Sequence, residues 1–247
     1  MKIEGARSCE TPLFLYPEHM TETWEQQVKA QIRRRYANQI GENGAAKAIE
    51  HGYPSDLIES LPPALIEGYS GCGYLFEGLE FSGDETVVDL GSGAGVDSYI
   101  ASTRLPRGTV ISVDMTFEML PKINYQQLLI NICGDIEYLP LADACADIII
   151  ANASFNLAIS KEKAFAEAFR VVKSNGKLVA RDLIKTEDLP AEVLSDPLSY
   201  NTSLGGALEE DALISEIEKA GFKNVTLSDH RPFSYVHSVK IEAMKLS

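Results

Sequence analysis

The chain has 247 residues, enough for one large domain or for one domain with an added lobe. Its 36 acidic residues outnumber its 22 basic residues and give a net charge of -14, which argues against nucleic acid because such partners are bound through Lys and Arg. No apolar segment reaches membrane-spanning length, and the first residues lack the apolar stretch of a secretion signal, so no membrane partner and a cytoplasmic location are expected.

The N-terminal part, residues 1–83, is predicted to form a cap of helices and loops. Thr23 is a good N-cap residue with Gln26 three positions later, and Trp24, Val28 and Ile32 continue one helical face. A helix in this position can pack over a ligand site as a lid. A short helix is expected at 55–60, and the basic run at 33–35 is expected to be the exposed side of the first helix.

The remainder, residues 84–247, is predicted to be the core domain, because strand and helix patterns alternate along it. Strands are expected at 86–90, 109–113, 128–132, 147–151, 177–181, 225–227 and 235–241, and helices at 96–105, 161–172 and 209–220. The pattern indicates an α/β fold with a doubly wound, seven-stranded, mostly parallel sheet. Ligands of such sheets bind at the carboxyl ends of the strands.

The segment TVVDLGSGAG at 86–95 predicts a buried strand that runs into a glycine-rich turn at a cofactor site. The dinucleotide fingerprint requires a third glycine where this chain has Val96, and Asp89 and Asp97 would repel a pyrophosphate. A dehydrogenase is therefore disfavoured. S-adenosylmethionine has no phosphate and carries a sulfonium and an ammonium group, which acidic residues suit.

Two further acids follow the next predicted strands. Asp114 stands about 20 residues after the glycine turn, where a carboxylate can accept hydrogen bonds from both ribose hydroxyls. Asp135 follows the third strand, where an acid can reach the amine of an adenine. Together with Asp89 these residues predict S-adenosyl-L-methionine as the cofactor and S-adenosyl-L-homocysteine as the product.

Several longer motifs carry a resemblance to a known family. They are YSGCG at 69–73, VVDLGSGAGVDSYIAS at 87–102, VDMTFEML at 113–120, GDIEYLPLAD at 134–143, FAEAFRVVKSNG at 165–176 and EKAGF at 218–222. With them the chain resembles class I S-adenosylmethionine-dependent methyltransferases, and more narrowly the arsenite methyltransferases. The resemblance implies cofactor contacts from Tyr69, Asp89, Gly91, Ser92, Gly93, Asp114, Met115, Asp135, Ile136 and Asn152.

The cysteines that would bind arsenic are mostly absent. Arsenic(III) prefers thiolates, and the resemblance implies several cysteines from separate segments. Cys72 in YSGCG matches one of them, but Ser203 replaces the thiol before the GAL segment. Cys133 is expected to be a buried strand residue, and no C-x-x-C pair suggests a zinc site or a disulfide. A complete thiolate site is therefore not predicted.

The leading hypothesis is methyl transfer to a small molecule, a reaction that needs no metal. Cys72, Asp182 and His237 are the candidate catalytic residues, and His230 is a further candidate base. An arsenite methyltransferase and a non-catalytic S-adenosylmethionine-binding protein are the alternatives. Pro121 shortens the connection between the second and third strands, so the adenine side is either exposed or covered by a second copy of the chain, which leaves a homo-oligomer open.

Overall fold

A computed structural model describes residues 23–38, 43–120, 129–187 and 204–247. Four helices precede the sheet: α1 (Trp24–Ala37), α2 (Gly44–Glu50), α3 (Ser55–Ser60) and α4 (Pro63–Ile66). The elements that follow are β1 (Thr86–Leu90), α5 (Val96–Thr103), β2 (Thr109–Asp114), β3 (Leu129–Cys133), β4 (Ala146–Asn152), α6 (Lys161–Val171), β5 (Val172–Ile184), α7 (Glu210–Lys219), β6 (Lys223–Phe233) and β7 (Val236–Met244). Short 3₁₀ turns lie at Phe117–Met119 and Phe155–Leu157.

The strands form one seven-stranded sheet in the order β3-β2-β1-β4-β5-β7-β6. Strands β1 to β5 run parallel, and β7 is antiparallel to both β5 and β6. Val87 and Val88 of β1 are fully buried, as expected for a central parallel strand covered on both faces. The predicted fold is confirmed. The strand order reverses between β1 and β4, and a ligand crevice is expected at the carboxyl ends of these two strands.

Helix α1 begins as its sequence predicts. The backbone N–H of Gln26 donates to Oγ1 of Thr23 at 3.3 Å, and the Thr23 N–H donates to Oε1 of Gln26 at 2.8 Å, which completes a capping box. Val28 and Ile32 are buried, whereas the arginines at 33–35 are exposed. Trp24, expected on the buried face, is 55% exposed because it occupies the first position of the helix.

The short helices α2 to α4 pack directly against the sheet. Ala48, Ile58 and Leu65 share one hydrophobic cluster with Val87 of β1 and Ile100 of α5. The other face of the sheet is covered by α6 and α7, whose buried apolar side chains belong to a second cluster. Apolar contacts therefore cross the predicted boundary between residues 83 and 84. The division of the chain into two domains at this boundary remains a prediction.

Strands β3, β5 and β6 differ from what the sequence predicts, and β6 runs from Lys223 to Phe233 rather than over 225–227. Cys133 is exposed rather than buried, because β3 is the edge strand of the sheet. Strand β5 begins five residues before its predicted start and continues through Asp182 to Ile184. Pro121, Ser203 and Cys9 lie outside the described residues. No helix of the described part of the chain is both long enough and apolar enough to cross a membrane.

Candidate functional site

The glycine turn lies between β1 and α5. Gly91, Gly93 and Gly95 have φ angles of 71°, 53° and 89°, a region that residues with a side chain rarely adopt. The Gly91 N–H donates to the carbonyl of Val113 at 2.8 Å, which ties the turn to β2. A Cβ atom on Gly91 would stand 2.4 Å from Cβ of Ser154, so glycine is required there by contact as well as by backbone conformation.

A cleft, called here the main cleft, opens at the carboxyl ends of β1, β2 and β4. Its inner half lies beside the glycine turn, and its outer half lies between β2, the start of the loop after β3, and α1. The two halves share Ser70, Gly91, Gly93 and Asn152. All residues predicted to contact the cofactor line this cleft: Tyr69, Asp89 and Ser92 in the inner half, Asp114, Met115, Asp135 and Ile136 in the outer half, and Gly91, Gly93 and Asn152 in both. Their roles remain predictions, but the fold brings them together.

In the outer half, backbone hydrogen bonds orient the carboxylate of Asp114. Its Oδ2 accepts the N–H of Gly93 at 2.9 Å, and its Oδ1 accepts the N–H of Thr116 at 2.7 Å. Burial nevertheless raises the pKa of Asp114 above its ordinary value. Each carboxylate oxygen can accept a second hydrogen bond, so Asp114 can also receive hydroxyl groups of a ligand.

The inner half contains two buried acids. Asp97 is 7% exposed, and its oxygens accept the hydroxyl of Tyr53 at 2.7 Å and the Asn152 amide at 2.8 Å. Asp89 is 2% exposed and accepts the hydroxyl of Ser98 at 2.6 Å. Burial raises the pKa of Asp97 to about 6, and burial together with the charge of Asp97 raises that of Asp89 to about 8. Neither acid has a salt bridge within the described residues, and a cationic ligand would stabilise their ionised forms.

Helix α1 borders the outer half. Lys29 Nζ lies 2.7 Å from Oδ2 of Asp135 and 3.1 Å from Oε2 of Glu137, and Ile32 and Tyr36 also line the cleft. The sequence predicted a lid helix but not this ion pair. The partners Lys29 and Asp135 are 106 residues apart, and no local pattern connects them.

A second cavity lies on the other side of Cys72 and is lined by His51, Arg231, Phe233 and Ser238, among others. The backbone N–H of Cys72 donates to Oδ1 of Asn152 at 2.9 Å, so these two residues form the partition between the second cavity and the main cleft. Burial, and next the charge of Asp182, raises the pKa of the Cys72 thiol well above its ordinary value. This thiol is therefore a poor source of thiolate.

The other two catalytic candidates line neither cavity. Asp182 lies inside β5 rather than after it, is 1% exposed, and accepts the backbone N–H groups of Asn156 at 3.1 Å and of Leu183 at 2.9 Å. Burial raises its pKa to about 6. His237 lies on β7, paired with Ile184 of β5, and lines neither the main cleft nor the second cavity.

His230, the further candidate base, also lines neither cavity. Its Nε2 lies 3.0 Å from Oε2 of Glu210, a residue of α7. The histidine that does reach the site is His51, which the sequence analysis missed. It follows α2 outside every recognised motif, and its Nδ1 lies 3.1 Å from the hydroxyl of Tyr69.

A family model described as a methyltransferase domain matches residues 81–226, more than half of the chain. The chain belongs to this family. An arsenite methyltransferase of Halobacterium salinarum is 34% identical over 194 residues, which are 76% of this chain and 49% of that protein. An arsenite methyltransferase of Aquipseudomonas alcaligenes is 30% identical over 202 residues, which are 76% of this chain and 58% of that protein. This methyltransferase-domain chain thus spans about half the length of the curated relatives it matches.

A solved structure supports the same assignment at the level of the fold. The crystal structure of an arsenic(III) S-adenosylmethionine methyltransferase from Chlamydomonas reinhardtii has a TM-score of 0.61 with this chain at 23% identity. The match covers 83% of this chain and 73% of that one. The predicted class I methyltransferase fold is therefore confirmed by sheet topology and by structural similarity.

Proposed function

We propose that this chain is an S-adenosylmethionine-dependent methyltransferase that acts on a small molecule and binds its cofactor in the main cleft. The observation that carries the proposal is the distribution of acids along the cleft. Asp89 and Asp97 lie unpaired with any described cation at the inner end, and Asp114 and Asp135 lie at the outer end. This arrangement suits an elongated ligand with a cation at one end and a ribose and adenine at the other.

Other features of the cleft fit this cofactor. The buried hydroxyl oxygens of Ser92 and Ser154, which line the cleft, have no hydrogen-bond partner within the described residues. A Cβ atom on Gly93 would meet nothing nearer than 3.6 Å, so this glycine faces open space that a ligand can occupy. When bound there, S-adenosylmethionine would supply an electrophilic methyl group on its sulfonium.

The residues of the chain would then position the cofactor. Asp114 would accept hydrogen bonds from the ribose hydroxyls, and Asp135 would accept one from the adenine amine. Asp97, held by Tyr53 and Asn152, would face the cationic end. Fixing the cofactor in this way accelerates transfer by alignment, because an acceptor lone pair must approach the methyl carbon in line.

The second cavity is the proposed acceptor site. The hydrogen bond between Cys72 and Asn152 lies between this cavity and the main cleft, and the cavity presents both the Arg231 guanidinium and the Phe233 ring. Arg231 uses its Nε to bind both carboxylate oxygens of Asp229 at 3.0 and 2.9 Å. A small acceptor with an apolar part and a polar or anionic group fits this lining.

Calorimetry with S-adenosylmethionine and the Asp97→Asn variant tests the cofactor site. The wild type should bind the cofactor and the variant should bind it at least about tenfold more weakly, since a charged hydrogen bond contributes roughly 1.5 to 3 kcal/mol. Asp143→Asn is the matched control, because Asp143 is 79% exposed and pairs with Arg170 away from the cleft. A wild-type chain that binds no S-adenosylmethionine would refute the proposal, and binding without transfer to any acceptor would favour the non-catalytic alternative.

Arsenite methylation is the second candidate function. It is favoured by the names of the curated relatives and by the position of Cys72 in the wall of the second cavity. Two observations weaken the arsenite hypothesis. The pKa of the Cys72 thiol is raised, and the described lining of the second cavity contains no other cysteine. The test is arsenite methylation in the presence of a thiol: a Cys72→Ser variant as fast as wild type would exclude a thiolate role for this residue.

A further inference from the structure

One hydrogen bond connects the main cleft to the second cavity through side chains that can exchange protons. Tyr69 is 6% exposed and lines the inner half of the cleft, whereas His51 is half-buried and lines the second cavity. The Tyr69 hydroxyl lies 3.1 Å from Nδ1 of His51, and their rings are 5.7 Å apart between centroids. A proton that leaves the cleft at Tyr69 can therefore reach the second cavity in one further step.

The surroundings keep both groups neutral before reaction. Burial lowers the pKa of His51 below its ordinary value, and burial, followed by the charge of Asp97, raises the pKa of Tyr69. A neutral phenol and a neutral imidazole bond best when the phenol O–H donates to an unprotonated Nδ1. The other titratable or charged side chains around the pair are Lys47 and Glu50 on the helix of His51, Arg181 on β5, Arg231 on β6, and Tyr53, Cys72 and Asp97.

We propose that Tyr69 and His51 together remove the proton of the methyl acceptor, an inference that rests on the proposed function and narrows its substrate class. As the acceptor nitrogen or oxygen forms its bond to the methyl carbon, the bond between that carbon and the sulfonium sulfur would break, its electron pair would stay on sulfur, and S-adenosylhomocysteine would leave. The proton of the acceptor would pass to the phenol oxygen of Tyr69. The phenol proton moves at the same time to Nδ1 of His51. The acceptor gains a methyl group and loses a proton, and the resulting imidazolium releases that proton to solvent after the product has left the second cavity.

The remaining titratable groups near the cleft are less suited to this role. Asp97, held by Tyr53 and Asn152, is the residue that would face the cationic end of the cofactor in the proposed function. Asp182 and His237 line neither cavity. The pair consequently indicates an amine or a hydroxyl as the acceptor. Arsenic(III) attacks through a lone pair that carries no proton, and it would not require such a pair.

Nuclear magnetic resonance titration of the histidine rings tests the pair without any methyl transfer. In a Tyr69→Phe variant the pKa of His51 should rise, because the bond donated by the phenol stabilises the neutral imidazole. The signals of His230 and His237 serve as internal controls and should titrate as in the wild type. An unchanged His51 titration would show that the two groups are not coupled and would overturn the inference.

Transfer of a labelled methyl group from S-adenosylmethionine tests the substrate class. The probes are a panel of small primary amines and phenols that carry a carboxylate, and separately arsenite with glutathione. His51→Gln should reduce transfer to the amine or phenol by about 100-fold or more, the usual contribution of a general base, while calorimetry shows unchanged cofactor affinity. His230→Gln, a variant at the surface pair with Glu210, should transfer at the wild-type rate.

Each of the other outcomes of the methyl-transfer assay decides between the hypotheses. Full activity of His51→Gln on an amine or phenol would overturn the inference and leave the proposed function intact. Label that moves only to arsenic would also overturn it and would select the arsenite alternative. Cofactor binding without transfer to any of the probes would refute the catalytic function itself, and the inference with it.

Discussion

The buried carboxyl group of Asp89 should make the free energy of unfolding depend on pH. Replacing Asp89 by asparagine should remove this part of the pH dependence. Asp89 lies within β1, is 2% exposed, and accepts the Ser98 hydroxyl at 2.6 Å. Burial and the charge of Asp97 raise its pKa from 3.8 to about 8. Asparagine has nearly the same size and keeps an oxygen that can accept the bond from Ser98, but it does not titrate.

The sign and size of this pH-dependent change in stability follow from proton linkage. Between the two pKa values of 3.8 and about 8, the folded chain retains a proton on Asp89 that the unfolded chain has released. The free energy of unfolding therefore falls as the pH rises, by at most about 1.4 kcal/mol per pH unit. Because the slope flattens near the folded pKa, the loss from about pH 6.5 to pH 8 is roughly 1 to 2 kcal/mol. Asp97 and Asp182, with pKa values of about 6, act mainly below this window.

Urea unfolding of the ligand-free wild type and of Asp89→Asn at both pH values measures this difference. The wild type should lose roughly 1 to 2 kcal/mol more than the variant over the interval, and contributions of the histidines cancel because both chains share them. Asp143→Asn, a substitution of an exposed acid, should keep the wild-type slope. Equal slopes for wild type and Asp89→Asn would refute the argument that Asp89 retains its proton in the folded state.

Three further predictions concern the main cleft. Affinity for S-adenosylmethionine should increase as the pH rises through about 6, because Asp97 must lose its proton before its carboxylate can pair with a cation. Calorimetry in buffers of different ionisation enthalpy should detect the release of this proton. An affinity that does not depend on pH would contradict this prediction. Asp114→Ala should weaken cofactor binding by roughly 1.5 to 3 kcal/mol for each charged hydrogen bond lost, and unchanged calorimetric affinity would mean that Asp114 does not contact the ribose. Gly91→Ala should destabilise the chain in urea unfolding by more than the roughly 1 to 2 kcal/mol expected for Gly78→Ala, because both glycines have positive φ but only at Gly91 would the new methyl group collide with Ser154. Equal losses for the two glycine variants would show that the collision is relieved.

Features with a local pattern were predictable from the sequence. The capping box at Thr23, the strand before Gly91 and the glycine turn each depend on residues a few positions apart. Strand ends were less predictable: β5 was expected at 177–181 but runs from Val172 to Ile184, because pairing with β4 at one end and β7 at the other extends it. The exposure of Cys133 depends on the edge position of β3, which strand composition does not reveal.

The sequence by itself determined the sheet type, the glycine turn and the acids at the carboxyl ends of the strands, because parallel strands bring those ends to one edge whatever the details of packing. Only the tertiary structure decided which groups complete the site. It joined Lys29 to Asp135 across 106 positions and His51 to Tyr69 across 18, and it enclosed Asp182 within the sheet. Such contacts depend on how helices pack against the sheet, and that packing is a property of the folded chain as a whole rather than of any segment.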